Sequence, residues 1–342
     1  MLTRRGLSLQ VVDDAATLEQ MAGEWEALAA RCGDAAGFCR HPVVTQSWLR
    51  HRDDARNSLH VLAVRREGEL VAAIPLIRRR DGWGTAALKW LDSKTPLFDD
   101  ILLAPDVDPK DLSGLVDDHL RGLRLVRKLK VSWVQAGSAA DALLVDLGAR
   151  PEHHASAYIS RLDGYADWDA YFAARSHNTR QSYRRLHRRL AEQGDVRIEK
   201  ITDPEGLSQA IGWIFERKRQ WVLDRYGVPN WLSPPETEAF FQATAKALSV
   251  SGEAFALSLT CDGAPVASLL TYRSGRTVYL SKVAYDTAWK KYSPGWLLNY
   301  EAIKAALPQG MDVDSERHVS LQTDDEEEIA RVVGRSKTKA AI

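Results

Sequence analysis

A chain of 342 residues is long for a single hydrophobic core and predicts two domains. Its 46 Lys and Arg balance 46 Asp and Glu, so no global field draws it to nucleic acid or membrane; such a preference must be local. A content of 45% hydrophobic and 27% charged residues excludes wholesale disorder, and three cysteines outside any metal spacing (Cys32, Cys39, Cys261) suit buried thiols in a reducing compartment.

The opening run "MLTRRGLSLQVVDD" turns acidic before any apolar stretch, unlike a signal peptide, and no segment approaches a membrane span, so a cytoplasmic location is expected. Leu7 to Val12 predicts a strand, after which Asp13 or Asp14 caps a helix with Leu18, Met21, Trp25 and Leu28 on its apolar face. Gly33 to Pro42 breaks that helix, and "VVTQSWLRHR" predicts a second short one. "LHVLAVRREGELVAAIPLIRR" predicts a hairpin turning at Glu67-Gly68. "ALKWL" and "TPLFDDILLAP" continue as strand, "DLSGLVDDHLRGLRLVRK" predicts a helix and "KVSWVQAG" a strand. Gly, Pro and polar residues near Leu147 to His154 mark a boundary, giving domains 1–150 and 151–342.

The second half follows a similar order. "WDAYFAARSHNTRQSYRRLHRRLAEQG" predicts a long helix or a pair, and "DPEGLSQAIGWIFERKRQWVLDRYG" another helix closed by Gly227. "PPETEAFFQATAKALSVSG" predicts a third, with prolines at its start and Gly252 after its end. An antiparallel meander follows, turning at Asp262-Gly263 and Ser274-Gly275. The hairpins "LAVRREGELVAAIPL" and "LSLTCDGAPVASLLT" overlay with Gly68 on Gly263, an offset of 195 residues (263 − 68), and Val71-Ala72 then falls on Val266-Ala267. Two chance hairpins remain the alternative to a repeat. The expected architecture is two related α+β domains.

In "KKYSPGWLLNYEAIKAALPQG", Ser293-Pro294-Gly295 joins a strand to an amphipathic helix whose buried face has Leu297, Leu298, Ala302, Ile303 and Ala306 available. Free amides and the helix dipole make such a start an anion site; Pro294 presets the backbone, Gly295 permits close approach, and Lys290 and Lys291 add charge. An ordinary helix start with surface lysines fits the same pattern.

The run "YLSKVAYDTAWKKYSPGWLLNYEAIKAA", with "LSLTCDGAPVASLLTY" before it, resembles the second half of a Gcn5-related N-acetyltransferase (GNAT) fold. The order of strand-end Asp286, the Tyr292-Ser293-Pro294-Gly295 turn, the arginines from Arg180 to Arg189, "RQW" at Arg219 to Trp221 and "PLFDDILL" resembles the cellulose-biosynthesis (CelD-like) acetyltransferases, tandem GNAT-like proteins related to Fem peptidyltransferases, over roughly residues 8 to 310. The resemblance implies a tandem GNAT-like α+β fold, with mostly antiparallel sheets flanked by helices, that uses acetyl-CoA or another acyl-CoA and no metal. It assigns the donor to Lys290, Lys291, Ser293, Pro294, Gly295, Trp296 and Leu297, and transfer to an amine or hydroxyl of a small-molecule or saccharide acceptor in cell-envelope or exopolysaccharide assembly. The chain departs from the group after Gly310, where a polar, charged tail carries Asp314 without a following Phe, and no final hairpin is expected. Two other readings stay open: a Fem-like transferase fed by aminoacyl-tRNA, and a GNAT-like binding protein without catalysis.

For a general base the chain offers Asp286, Tyr285 and Glu301 near the turn, and His177 and His187 on the basic helix; the resemblance favours Asp286 with Tyr285. Arg175, Arg180, Arg184, Arg185, Arg188 and Arg189 line one helix in two stripes, either a phosphate-binding surface or a solvated face. Arg180, Arg184, Arg219 and Trp221 are the expected acceptor contacts. Trp213, Trp231 and Trp289 are further candidates for an acceptor floor, although tryptophans commonly serve packing alone. His153-His154 lacks further ligands for a metal.

Overall fold

The computed structural model describes residues 2–4, 6–33, 56–80, 84–91, 100–131, 134–150, 158–230, 232–307 and 312–315. The helix expected at "VVTQSWLRHR", His153-His154, Trp231 and the tail from 316 lie outside these residues.

The first half opens with strands β1 (Leu2–Arg4) and β2 (Leu7–Val12) and helices α1 (Ala15–Gln20) and α2 (Ala22–Cys32). The helix expected after β2 is thus two, meeting at Met21, with Leu18, Met21, Trp25 and Leu28 all buried as expected. Asp14 is the cap, its carboxylate accepting from the Thr17 amide at 2.8 Å. Strands β3 (Asn57–Leu59), β4 (Val61–Arg66), β5 (Glu69–Ile74), β6 (Leu76–Arg80), β7 (Ala86–Trp90) and β8 (Leu102–Leu103) follow. Next come α3 (Pro109–Gly122), β9 (Val126–Leu129) and α4 (Ala139–Asp146). One sheet runs β1-β2-β4-β5-β8 and a second runs β3-β6-β7-β9.

Two expectations here need correcting. The predicted helix stops at Gly122, and Val126–Leu129 is a strand parallel to β7, because its backbone completes the second sheet. The strand expected at "KVSWVQAG" begins too late, and α4, capped by Ser138, was not anticipated.

The second half contains β10 (Tyr158–Ser160), α5 (Trp168–Ala173), α6 (His177–Ala191), β11 (Val196–Ile201), α7 (Pro204–Tyr226) and α8 (Pro235–Ser249). The meander β12 (Ala254–Cys261), β13 (Ala264–Ser274) and β14 (Thr277–Tyr285) leads through a 3₁₀ turn (Thr287–Tyr292) to α9 (Pro294–Ala306) and β15 (Asp312–Ser315). The six-stranded sheet runs β10-β15-β14-β13-β12-β11. The final strand corrects the reading of the tail: Val313 is fully buried, with β15 antiparallel to β10 and parallel to β14.

The two halves repeat in register. β2 pairs β4 from Leu7 opposite Arg66 to Val12 opposite Val61; β11 pairs β12 from Val196 opposite Cys261 to Ile201 opposite Ala256. Both hairpins carry a register shift at the same place, between Val64 and Arg65 and between Leu259 and Thr260. Both turn with two left-handed residues, Glu67-Gly68 (φ 50° and 89°) and Asp262-Gly263 (φ 50° and 78°), the tight turn whose twist matches paired strands. Asp14 and Asp203 each cap a helix two residues after the preceding strand. The amides of Ala104 and Asp286 donate to the matching carbonyls of Val71 and Val266, each at 2.9 Å.

One apolar cluster joins the first half's sheets and helices to α7, α8 and the face of the second-half sheet carrying Ala256, Leu270, Tyr272 and Ala284. A second cluster fills the opposite face, where α6 and α9 pack.

Within the first half, His60 and His119 share a hydrogen bond between their Nε2 atoms at 2.9 Å. Burial lowers His60 to about 4, aided by His119 and Arg78 and opposed by Asp13, and burial also lowers His119. The unfolded chain therefore takes up protons that the folded one refuses: stability is full above the ordinary histidine range and falls as pH drops toward about 4. At pH 5, His60 should account for a loss of about 2 kcal/mol relative to pH 7.5. Urea midpoints at the two pH values check this, and the difference should shrink in a His60→Gln variant.

Candidate active site

The site grows from a mismatch in strand pairing. β14 pairs along its length with β13, but β15 meets it only at Thr277, Val278 and Tyr279. From Leu280 to Tyr285, no strand among the described residues pairs with that edge of β14. Ser281 is a bulge, skipped between the Leu270–Lys282 and Thr271–Leu280 pairs, which adds local twist where the edge opens. That edge of β14 thus has no partner strand among the described residues as the chain runs into the turn, while the other edge stays paired with β13 to Tyr285.

Asp286 ends the strand. Its side chain accepts from the Ala288 amide at 3.0 Å, so it caps the 3₁₀ turn, and it stands 3.7 Å from Arg217 of α7. The 3₁₀ turn ends at Ser293, whose left-handed backbone (φ 48°) redirects the chain into α9. Ser293 makes no side-chain cap. The first-turn amides of Gly295 and Trp296 lie beyond reach of intrahelical carbonyls, so the helix starts with free donors and partial positive charge. Lys290 and Lys291 are exposed beside them. The guanidinium of Arg189, from α6, lies 5.3 Å from the Tyr292 ring, which adds a third cation at this end of α9.

Gly295 has a packing role as well. A β-carbon there would stand a tight 3.3 Å from Val283 and in ordinary contact with Tyr285 at 3.7 Å, so the missing side chain lets α9 seat closely against β14. This close helix–strand contact is one reason for glycine at that position. Leu297 is fully buried in the core beneath.

The corresponding helix of the first half is closed. Asp108 caps α3 with its own carboxylate, 2.9 Å from the Lys110 amide, which supplies the negative charge an incoming anion would otherwise bring. Repetition of the fold therefore does not repeat an open helix start.

Other sequence candidates are engaged elsewhere. Arg180 donates to the Ala173 carbonyl at 2.7 Å, and Arg184 lies 5.5 Å over Phe172, so both tie α6 to α5. Arg219 pairs with Glu238 and donates to the Leu232 carbonyl at 3.3 Å. Trp221 packs edge-on against Tyr226. Glu301 accepts from the Tyr183 hydroxyl at 2.5 Å and stands 3.3 Å from His187 Nε2. Burial works to raise the Glu301 carboxyl, but His187 and Tyr183 prevail and hold it below the usual glutamate range. Burial, then Glu301, pushes the Tyr183 phenol upward.

Sequence reading passed over the opposite face of β14. Lys282 is only 3% exposed there, with its ammonium 5.1 Å from the Phe241 ring of α8. Lys218 of α7 keeps part of its surface open yet is enclosed by protein atoms. Burial and the Lys282 charge lower it to about 8. The available signal was a lysine inside the apolar run "TVYLSKVAY".

Residues 177–315 match the acetyltransferase (GNAT) domain family. No curated protein matches the chain significantly. Among solved structures, FemX is similar with a TM-score of 0.60 at 12% identity, over 94% of this chain and 92% of that one. L-PGS from Bacillus licheniformis is similar with a TM-score of 0.52 at 14% identity, over 95% and 83%. A conserved protein of unknown function from Bacteroides thetaiotaomicron VPI-5482 gives 0.53 at 14% identity, over 98% and 97%. These likenesses establish a GNAT-like fold. Among the described residues, no helix is long and apolar enough to cross a membrane, and no group of three or more His, Cys, Asp or Glu is placed to hold a metal.

Proposed function

We propose that the protein is an acyltransferase whose second unit, residues 151–342, binds acetyl-CoA or another acyl-CoA at Lys290 to Leu297 and transfers the acyl group to an amine or hydroxyl. The observation that carries this reading is the uncapped start of α9 at the end of the splayed edge of β14. Pyrophosphate suits those amides and the flanking lysines, and the open strand edge suits an extended, amide-bearing donor arm. Direct attack on a thioester needs positioning, a proton acceptor and donors for the developing oxyanion. Asp286 and Tyr285 lie at the end of the strand that would carry the thioester, and Asp286 is the proposed base. The first unit, residues 1–150, shapes the acceptor side. The narrower place in the cellulose-biosynthesis group, with a saccharide or small-molecule acceptor in the cytoplasm, belongs to the same proposal.

A Fem-like use of aminoacyl-tRNA is the second reading, favoured by the exposed Arg185 and Arg188 on α6. Calorimetry with acetyl-CoA separates the two. Micromolar binding supports the acyl-CoA donor. Absence of binding by the folded protein, together with tRNA binding that weakens steeply with salt, supports the second.

A further inference from the structure

The two repeated units differ at one outer edge. In the first half β1 covers β2, pairing Leu2, Thr3 and Arg4 with Leu9, Ser8 and Leu7 in antiparallel register. The matching positions of β11, set by the shared pairing of β2 with β4 and of β11 with β12, are Val196, Arg197 and Ile198. Among the described residues no strand pairs that edge of β11, which ends the six-stranded sheet. Arg197, Glu199 and Lys200 are exposed along it.

The backbone shows what this edge offers. The Asp195 carbonyl accepts from the Asp262 amide at 2.9 Å, so it turns toward β12. In a strand, the amide and carbonyl of one residue point the same way and successive residues alternate. Val196, Ile198 and Lys200 therefore turn theirs outward. Such a row of backbone donors and acceptors is a template for another strand.

Charges on an edge strand ordinarily deter pairing, but here their order suits one partner. A second copy laid antiparallel with Ile198 opposite Ile198 sets Arg197 of each copy opposite Glu199 of the other. These fall at the non-hydrogen-bonded positions of the new pair, where side chains stand closest. Moving the two-fold axis to the next residue on either side sets Arg197 against Arg197 or Glu199 against Glu199, and like charges directly opposite are destabilising. Arg197 can serve two carboxylates: its Nε and Nη2 donate to Asp195 at 2.9 and 2.7 Å, which leaves Nη1 for Glu199 of the second copy. Lys200 would face Val196, and its ammonium leans over the Phe255 ring of β12 at 4.3 Å, away from the edge.

We infer that the β11 edge joins two copies of this chain, paired antiparallel about Ile198 so that two six-stranded sheets become one. The contact is the same patch on both copies, so it closes as a dimer, and its small area makes that dimer weak. Nothing in it depends on the acyltransferase reading.

The test is sedimentation velocity on the whole chain between about 1 µM and about 500 µM, a range suited to a small interface. A reversible monomer–dimer equilibrium is expected, and a parent protein that stays monomeric throughout overturns the inference. Glu199→Arg and Arg197→Glu should each weaken the dimer by about tenfold or more, because two cross-strand attractions become two repulsions. A dimer that persists unchanged in either variant places the interface elsewhere and also overturns it. Mixed in equal amounts, the two variants should form a heterodimer of nearly parental affinity, since every 197–199 pair is then Arg opposite Glu. Damage to the fold would not be repaired by mixing, so a mixture that stays monomeric counts against the pairing.

Discussion

Lys290→Glu/Lys291→Glu should weaken acetyl-CoA binding about 100-fold, close to 3 kcal/mol, while leaving thermal stability nearly unchanged. At contact distance in bulk water, a unit charge pair contributes about 1 kcal/mol, and each reversal replaces one attraction by one repulsion. Two reversals would approach 4 kcal/mol, and screening at physiological salt reduces the figure. The free amides of α9 are untouched, so some affinity survives. Both lysines are exposed; the fold loses only the contact of Lys291 with the Tyr292 ring at 5.0 Å, worth about 0.5 kcal/mol. This variant is cleaner than Gly295→Asp, because a β-carbon at 295 comes within 3.3 Å of the Val283 side chain, which must give way to hold it. Calorimetry at two salt concentrations checks the prediction. An unchanged affinity would move the donor site away from the turn.

Val313→Asp should destabilise the second half by about 4 kcal/mol or more, enough to unfold a marginally stable domain. Val313 is fully buried, opposite Val278 on one side and Ser160 on the other. A carboxylate there must be protonated or buried unpaired, and either state is costly. The loss should be greatest at neutral pH and smaller in acid, where the new side chain is neutral. Urea unfolding of parent and variant measures it. A midpoint matching the parent would mean that β15 contributes nothing to the sheet, and the opening beside β14 would need another explanation. Because β15 bounds that opening, any folded fraction of the variant should also bind acetyl-CoA less well.

Much of the framework was legible in the residues themselves. The hairpins at Glu67-Gly68 and Asp262-Gly263 are signalled by local turn chemistry, and the 195-residue offset that aligns them also aligns their register shifts. Asp14, Pro294 and Gly227 mark helix ends because capping is a matter of a few neighbouring atoms. The Ser293-Pro294-Gly295 turn stood out for the same reason. All of this depends on interactions within a few residues along the chain.

The rest depended on partners distant in sequence. Asp312–Ser315 has one apolar residue in four, no signal for a strand, and becomes one because β10 and β14 both offer it backbone pairing. Val126–Leu129 reads as the continuation of a helix until β7 provides an edge. Arginines at 180, 184 and 219 look alike as free cations in the sequence, yet Ala173, Phe172 and Glu238 occupy them. Lys282 is one lysine in an apolar strand until α7 and α8 cover it. Composition and local spacing determined the repeated α+β units and the helix start suited to an anion. Strand pairing and charge burial, which join residues far apart in the chain, were decided only by the tertiary structure.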